Sequence, residues 1–99
     1  MTRKGVHLYV VAYDVPDDRR RTRVATVLQG FGRRVQYSVF LVEVADVKRA
    51  RLERALVDVI DPEDDSIIIG DLGPYERMPD VLVTLGRLRP LLDEKSFIL

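Results

Sequence analysis

The sequence predicts one α+β domain whose strands and helices follow the order β-α-β-β-α-β. Apolar runs of strand length, rich in Val, Ile and Tyr, recur along the chain. Between them, two segments carry apolar residues at intervals of three and four, the period of a helix. The chain has 99 residues, 46% of them hydrophobic, which suits a single domain with a small core. Two helices on one face of an antiparallel sheet in this order form a ferredoxin-like sandwich.

The first strand and the first helix lie between residues 7 and 32. The run "HLYVVAY", residues 7–13, is continuously apolar and predicts a central strand buried on both faces. Asp17, just after a proline, is the predicted N-cap of the helix, and Gly30 and Gly32 end it. The apolar stripe of this helix comprises Val24, Val27, Leu28 and Phe31.

The next segment predicts a hairpin and a second helix. The run "RVQYSVFLVEV", residues 34–44, is long for one strand, so a turn near residues 36–38 is the simpler interpretation, although no Gly or Asn marks it. Asp46 is placed to cap the second helix. The inner face of that helix is predicted to carry Leu52, Ala55, Leu56 and Val59.

The last part of the chain predicts a strand, a loop and one further strand. "DPEDD" is an acidic turn, and "SIIIG", residues 66–70, is an apolar strand. Glycine and prolines then mark a loop before "VLVTL", residues 81–85, which predicts an additional C-terminal strand. We therefore expect a single domain over residues 1–99, with a core at about 7–73 and a dimer-forming strand and tail at 74–99. The uncovered face of the sheet predicts a homodimer built sheet to sheet.

Composition excludes several classes of site. The chain has no cysteine and a single histidine, His7, which excludes disulfides, thiol catalysis and Cys- or His-rich metal sites. No apolar run approaches the length of a membrane span, and the N-terminus is a poor signal peptide. These observations predict a cytoplasmic protein with no membrane partner. Walker, GxGxxG, HExxH and GxSxG motifs are also missing from the sequence.

The net charge of zero conceals a basic first half. Residues 1–45 carry eight Lys or Arg against four Asp or Glu, and 13 of the 16 basic residues in the chain are arginine. Arginine favours bidentate contacts with phosphate, so this clustering predicts a local nucleic-acid-binding patch, with an ordinary solvated helix face as the equal alternative. The candidates for phosphate contacts are Arg19, Arg21, Arg23, Arg33 and Arg34.

Helical geometry separates these arginines. Arg19 and Arg23 are four residues apart and share one flank, whereas Arg21 lies on the opposite flank. The stem of Arg20 is expected to pack near the core. Arg19 or Arg21 can instead pair with nearby aspartates. The aromatic residues Tyr13, Tyr37 and Phe40 could stack on bases, but aromatic residues in strands are more often part of the core.

Asp14 is the candidate metal ligand because it ends a central, rigid strand. One carboxylate is a poor Mg²⁺ site, since Mg²⁺ commonly takes one or two carboxylates together with substrate phosphates and water. A symmetric dimer would supply a second Asp14, and the pair could hold a metal against a phosphodiester. The simpler alternative is that Asp14 only forms the turn before Pro16.

The segment "YDVPDDRRRTRVATVLQGFGRRVQYSVF", residues 13–40, resembles the signature region of the small CRISPR-associated endonuclease family that partners the CRISPR integrase in spacer acquisition. Members of that family open with a strand ending in Tyr-Asp, followed by an acidic turn, an Arg-rich helix and a strand of the "RVQYSVF" type. The match continues through "DPEDDSIIIGDLG", residues 61–73, and so covers about residues 7–73. The last 26 residues match only loosely.

The resemblance implies a ferredoxin-like homodimer with nuclease activity that depends on Mg²⁺ or Mn²⁺ and acts on RNA or DNA. It implies Asp14 as the metal ligand, a C-terminal strand that crosses to the sheet edge of the partner, and a CRISPR integrase subunit as a further partner. The candidate catalytic residues are Tyr13, Asp14, Arg21, Arg23, Arg34 and Phe40. Three alternatives stay open: a non-catalytic subunit that holds duplex DNA, a ferredoxin-like regulatory module, and a related messenger-RNA interferase.

Overall fold

The computed structural model describes residues 5–87. Its element order confirms the predicted β-α-β-β-α-β arrangement. The elements are β1 (His7–Asp14), α1 (Asp18–Gln29), β2 (Gly32–Gln36), β3 (Val39–Val44), α2 (Asp46–Val57), β4 (Ser66–Pro74), a 3₁₀ turn (Tyr75–Arg77) and the one-turn α3 (Met78–Val81). Within the described residues, no helix is both long enough and apolar enough to span a bilayer.

The four strands form one antiparallel sheet in the order β2-β3-β1-β4. β1 is therefore central, as predicted. Its burial is asymmetric, because both helices cover the same face of the sheet. Tyr9 and Val11 face the helices and are buried together with Phe40 and Val42 of β3. On the opposite face, which we call the open face, Val10 and Ala12 are only half-buried and Asp14 is exposed, whereas Leu8 is buried. The prediction that β1 is buried on both faces is therefore wrong for most of its length.

α1 begins and ends where the sequence predicts. The Asp17 carboxylate accepts a hydrogen bond of 2.9 Å from the backbone N–H of Arg20, which satisfies one of the free donors of the first turn. At the other end, Gly30 is the C-cap. Val24 and Leu28 of the predicted stripe are completely buried against the sheet, so packing of this face stabilises the helix.

The start of α2 differs from the prediction. Ala45 is the N-cap, and no side chain caps this helix, so the prediction that Asp46 caps it is wrong. Asp46 is instead the first helical residue, where its negative charge still complements the positive end of the helix dipole. Leu52 and Leu56 provide the buried contacts of the predicted inner face.

The hairpin predicted near residues 36–38 is confirmed. β2 ends at Gln36, β3 begins at Val39, and Tyr37 and Ser38 form the turn between them. The turn is tied to the central strand, because the backbone N–H of Tyr13 donates to the carbonyl of Ser38 over 3.1 Å. The turn is therefore held both by the pairing of β2 with β3 and by a hydrogen bond to β1.

The additional strand predicted over residues 81–85 is not formed within the described chain. Val81 ends α3, and residues 82–85 are neither helix nor strand. A strand requires a neighbour that pairs with its backbone groups, and none of the strands in residues 5–87 pairs with this segment. Val83 and Leu85 are 79% and 89% exposed. Pairing of this segment with a second chain stays a prediction, and the predicted tail beyond residue 87 lies outside the described residues.

The ion pair between Arg20 and Asp65 joins α1 to the residue that precedes β4. Arg20 donates through Nε and Nη2 to the two carboxylate oxygens of Asp65, over 2.7 and 3.1 Å. The Asp65 side chain is fully shielded from solvent and also accepts from the backbone N–H of Asp61 over 2.8 Å. The hydrogen bond from Arg20, followed by that from Asp61, lowers the pKa of Asp65 below its ordinary 3.8.

We expect Asp65→Asn to lower the melting temperature at pH 7, because it removes the buried charge opposite Arg20 and leaves only Asp17 among the described residues, 3.9 Å from the guanidinium, as its partner. The pKa of Asp65 is lowered in the folded protein, so its contribution to stability is present above about pH 4 and is lost as the pH falls through the folded value. Melting temperatures measured by circular dichroism between pH 7 and pH 2 should therefore decrease less with falling pH in the variant than in the wild type.

Asp64→Asn is the matched control, because Asp64 is the exposed neighbour of Asp65. It should melt like the wild type at every pH. Some acid destabilisation should persist in all three proteins, since hydrogen bonds from Gly73 and His7 also lower the pKa of Asp71. Equal melting temperatures for the Asp65→Asn and Asp64→Asn proteins at pH 7 would contradict a structural role for the ion pair.

Candidate active site

Asp14 lies at the end of the central strand and is exposed to solvent. It pairs with Ser66 of β4, and strand alternation places it on the open face, with Val10 and Ala12. No hydrogen bond or ion pair to its carboxylate is formed by any other side chain that the structure describes. Strand pairing therefore fixes the backbone of Asp14, and its exposed carboxylate is available to a ligand from outside the chain.

The described part of one chain does not provide a complete metal site. Among residues 5–87, no group of three or more His, Cys, Asp or Glu side chains is arranged to hold a metal ion. Asp14 contributes one hard oxygen ligand that forms no ion pair with a cation among residues 5–87, which suits Mg²⁺ or Mn²⁺. A metal site centred on Asp14 consequently needs ligands from a second chain, from a phosphate or from water.

A cleft of about 270 Å³ opens between α1 and the β2–β3 hairpin. α1 provides Arg21, Thr26 and Gln29 to its lining, β1 provides Tyr13, and the hairpin provides Arg34 and Tyr37. No carboxylate among the described residues lines this cleft, although Asp18 pairs with the Arg21 guanidinium at its edge. Two guanidinium groups, two phenol groups and neutral hydrogen-bonding side chains therefore surround a space that can accept an anion. We call this space the α1–hairpin cleft.

Arg34 contacts both Tyr13, which lines the α1–hairpin cleft, and the buried ring of Phe40. Its guanidinium carbon lies 5.3 Å from the centre of the Phe40 ring, a cation–π distance, and its Nη2 donates to the Tyr13 hydroxyl over 3.4 Å. The rings of Tyr13 and Phe40 are in contact, with centres 6.3 Å apart. Arg34 Nε is shielded from solvent and has no hydrogen-bond partner among the described residues. The orientation of Arg34 thus depends on both rings.

The Arg21 guanidinium is held by residues at the start of α1 and just before it. Its Nη1 donates to the carbonyl of Val15 over 2.9 Å, and its Nη2 pairs with Asp18. This pairing confirms one of the expected contacts between the arginines and the nearby aspartates. Asp18 is 90% exposed, so the pair contributes little to stability. The hydrogen bond to Val15 places the charge of Arg21 at the cleft.

The remaining arginines lie elsewhere. Arg19 and Arg23 are exposed, and helical spacing puts them on the flank of α1 opposite the cleft-lining residues, as the sequence indicates. Arg33 is on the open face, opposite Leu41 of β3. The candidate residues therefore do not form one cluster: Tyr13, Arg21 and Arg34 meet in the cleft, whereas Asp14 and Arg33 share the open face.

The role of Arg20 is the main feature that sequence reasoning missed. The spacing of α1 correctly places its stem near the core, but its partner, Asp65, lies 45 residues away in the acidic turn. That turn contains several aspartates, and their order gives no indication of which is buried. Thr26 and Gln29 were also missed, although a neutral polar flank on an otherwise charged helix is a signal for them.

Comparison with known proteins decides the family. The family model described as "CRISPR associated protein Cas2" matches residues 7–77, most of the described chain.

The chain belongs to the CRISPR-associated Cas2 family.

Two curated relatives and a solved structure document the similarity to Cas2 proteins. "CRISPR-associated endoribonuclease Cas2 1" of Rhodospirillum rubrum is 34% identical over 94% of this chain and 91% of its own length. "CRISPR-associated endoribonuclease Cas2 3" of Synechocystis is 48% identical over 61% of this chain and 65% of the relative, so that alignment spans slightly less than two thirds of it. The crystal structure of Streptococcus pyogenes Cas2 at pH 6.5 matches with a TM-score of 0.70 and 31% identity, covering 80% of this chain and 99% of the other. These matches confirm the resemblance and the ferredoxin-like fold.

Phe40 and Tyr37 show how differently two aromatic residues of one Cas2-type "RVQYSVF" hairpin are placed. Phe40 is completely buried, whereas Tyr37 is 74% exposed. We expect Phe40→Ala to lower the free energy of unfolding by about 3–5 kcal/mol and Phe40→Leu by less than about 1.5 kcal/mol. Tyr37→Ala, the matched control, should change it by no more than about 0.5 kcal/mol.

Urea unfolding at one fixed protein concentration measures these differences. A loss of activity in Phe40→Ala should be accompanied by loss of structure, so only Phe40→Leu can separate packing from chemistry. Unchanged stability in the Phe40→Ala protein would show that the ring is not part of the core.

Proposed function

We propose that this Cas2-family protein is a metal-dependent endonuclease that acts as a homodimer and cleaves phosphodiester bonds of RNA or DNA in CRISPR spacer acquisition. The observation that carries the proposal is Asp14: an exposed carboxylate at the end of the central strand and on the open face, with no hydrogen bond or ion pair to another described side chain. The endoribonuclease names of the relatives point to the same reaction.

The open face supports the homodimer. Besides half-buried Val10 and Ala12, it carries Leu41 of β3 and Ile68 of β4, and Ile68 is 66% exposed. An apolar sheet face of this kind is costly to leave in water. Two chains that pack through their open faces would bury these side chains and bring their two Asp14 carboxylates to the same interface. The short chain, with its small core, would gain stability from such an association.

Each residue then has a distinct task. The two Asp14 carboxylates would hold Mg²⁺ or Mn²⁺, which lowers the pKa of bound water and neutralises charge on a phosphate. Arg21 and Arg34 lie beside the same strand end, since the Tyr13 side chain lines their cleft and Asp14 follows it directly. They would bind neighbouring phosphates and fix the strand, which is how arginine recognises phosphate elsewhere.

A second candidate function is a non-catalytic subunit that holds duplex DNA for a CRISPR integrase in the cytoplasm. The separation of the arginines favours this alternative, because Arg19 and Arg23 lie on the flank of α1 away from the cleft that contains Arg21. Charges spread around a helix suit contact with several phosphates, which positions a duplex without reading its sequence.

We expect Asp14→Asn to abolish cleavage without unfolding the protein, because the side chain is exposed and forms no hydrogen bond or ion pair with another described side chain. Nuclease assays with Mg²⁺ and with Mn²⁺, beside circular dichroism, check this. Asp64→Asn, an exposed aspartate in the turn before β4, is the control and should cleave at the wild-type rate. Undiminished cleavage by folded Asp14→Asn protein would remove Asp14 from the metal site.

Mixed dimers test whether the two Asp14 residues act together. If both are required, equal amounts of wild-type and Asp14→Asn chains that exchange freely should retain roughly a quarter of the activity, the share of wild-type pairs in a two-fold dimer. Independent sites would retain roughly half under the same statistics. A monomer at micromolar concentration in sedimentation would contradict the shared site altogether.

Binding of nucleic acid should fall steeply with salt, because each neutralised phosphate releases counterions. A dimer that uses three or four arginines per chain is expected to lose on the order of a thousandfold or more in affinity between 50 and 200 mM salt. Arg21→Gln and Arg34→Gln should flatten this slope on any sequence. Arg51→Gln, on the exposed face of α2, is the control and should leave it unchanged. Affinity that is insensitive to salt would show that these arginines do not contact phosphates.

A further inference from the structure

Ser66 is the residue of β4 that lies directly beside Asp14. The two residues are partners in the register between β1 and β4, and both are exposed. Opposed residues of an antiparallel pair have side chains on the same face, with Cβ atoms about 4.5–5.5 Å apart. Ile67, the next residue, packs against the core on the helix side, so alternation places Ser66 on the open face. The Ser66 hydroxyl is therefore within reach of groups bound to the Asp14 carboxylate.

The fold fixes the backbone of Ser66 and makes no use of its side chain. Ser66 follows Asp65, which is held by Arg20 and by the backbone N–H of Asp61. Within the described part of the chain, the Ser66 hydroxyl forms no hydrogen bond. The next residue of β4 on the open face is Ile68, which is apolar and 66% exposed. Ser66 is thus the polar group that β4 presents next to the candidate metal ligand.

A neutral hydroxyl in this place suits a site for Mg²⁺ or Mn²⁺. Two facing Asp14 carboxylates already match the charge of a divalent cation, so a further charged ligand is not required. Such ions keep several waters when few carboxylates bind them, and groups around a metal site orient its ligands through hydrogen bonds. A serine hydroxyl can accept one hydrogen bond and donate another. It can therefore hold a water on the metal without changing the charge of the site.

We propose that Ser66 is a positioning residue of the Asp14 metal site, and that its hydroxyl accepts a hydrogen bond from a water bound to the metal. The inference rests on the proposed metal-dependent function and adds a residue to the same site. In a dimer packed through the open faces, each chain would contribute one Asp14 and one Ser66. Because Asp65 precedes Ser66 and is paired with Arg20, the ion pair would also fix the position of this hydroxyl.

Titration with Mn²⁺ tests the proposal without nucleic acid and without cleavage. Ser66→Thr and Ser66→Val are a matched pair, because threonine and valine have nearly the same shape, both favour strands, and differ by the hydroxyl. We expect Ser66→Thr to bind Mn²⁺ like the wild type and Ser66→Val to bind it at least about tenfold more weakly, the low end for loss of a group that orients a metal ligand. The electron paramagnetic resonance signal of free Mn²⁺ measures both affinities.

The metal dependence of cleavage gives a second readout. Ser66→Val should require about tenfold more Mn²⁺ for half-maximal cleavage, and saturating Mn²⁺ should restore most of the rate, because Asp14 is still present. Asp14→Asn should not be restored at any metal concentration. Asp64→Asn, the exposed control in the turn before β4, should match the wild type in both measurements.

Equal Mn²⁺ affinities of the Ser66→Thr and Ser66→Val proteins would overturn the inference, and so would wild-type protein that does not bind Mn²⁺. An equal loss in both variants, together with a lower melting temperature or a shift from dimer to monomer in sedimentation, would assign Ser66 to strand pairing or to the interface instead. Failure of the nuclease proposal is recognised separately. Wild-type protein that binds Mn²⁺ and shows the difference between the two variants, but cleaves neither RNA nor DNA, would support the role of Ser66 and contradict nuclease activity alone.

Discussion

The ion pair between Arg20 and Asp65 is the interaction on which the geometry of the candidate site depends. It joins the first turn of α1 to the residue before β4, and Ser66, which follows, pairs with Asp14. One buried contact therefore fixes a helix, an edge strand and the strand end that carries the candidate metal ligand. A shielded carboxylate that loses its cation is strongly unfavourable, so the fold constrains both residues closely.

The sheet divides the candidate machinery between two surfaces. Tyr13 and Asp14 are consecutive, and alternation along a strand sends consecutive side chains to opposite faces. Tyr13 points toward the helices and the α1–hairpin cleft, whereas Asp14 points toward the open face. One strand end can thus serve strand binding on one side and, in a dimer, metal binding on the other. Under the proposed function, this arrangement would let a chain of 99 residues combine both tasks with a small core.

The elements of the fold could be predicted from the sequence because their signals are local. The stripe of α1, its Asp17 cap and the hairpin near Tyr37 each depend on residues within one or two turns of one another. The cap of α2 could not be predicted in the same way, since an aspartate at the start of a helix has the same pattern whether it is the cap or the first helical residue. The segment at residues 81–85 has the composition of a strand, but composition provides no partner to pair with it.

For the site, the sequence by itself determined which residues are candidates for chemistry: a strand ending in Tyr13 and Asp14, an arginine-rich helix, and the family that this combination indicates. Only the tertiary structure decided which of them meet. It brought Arg34 to Tyr13 and Phe40, buried Phe40 while leaving its neighbour Tyr37 exposed, and paired Arg20 with Asp65. The physical reason is that burial and charge pairing depend on residues far apart in sequence, and the order of residues along the chain does not show which of them lie close together in space.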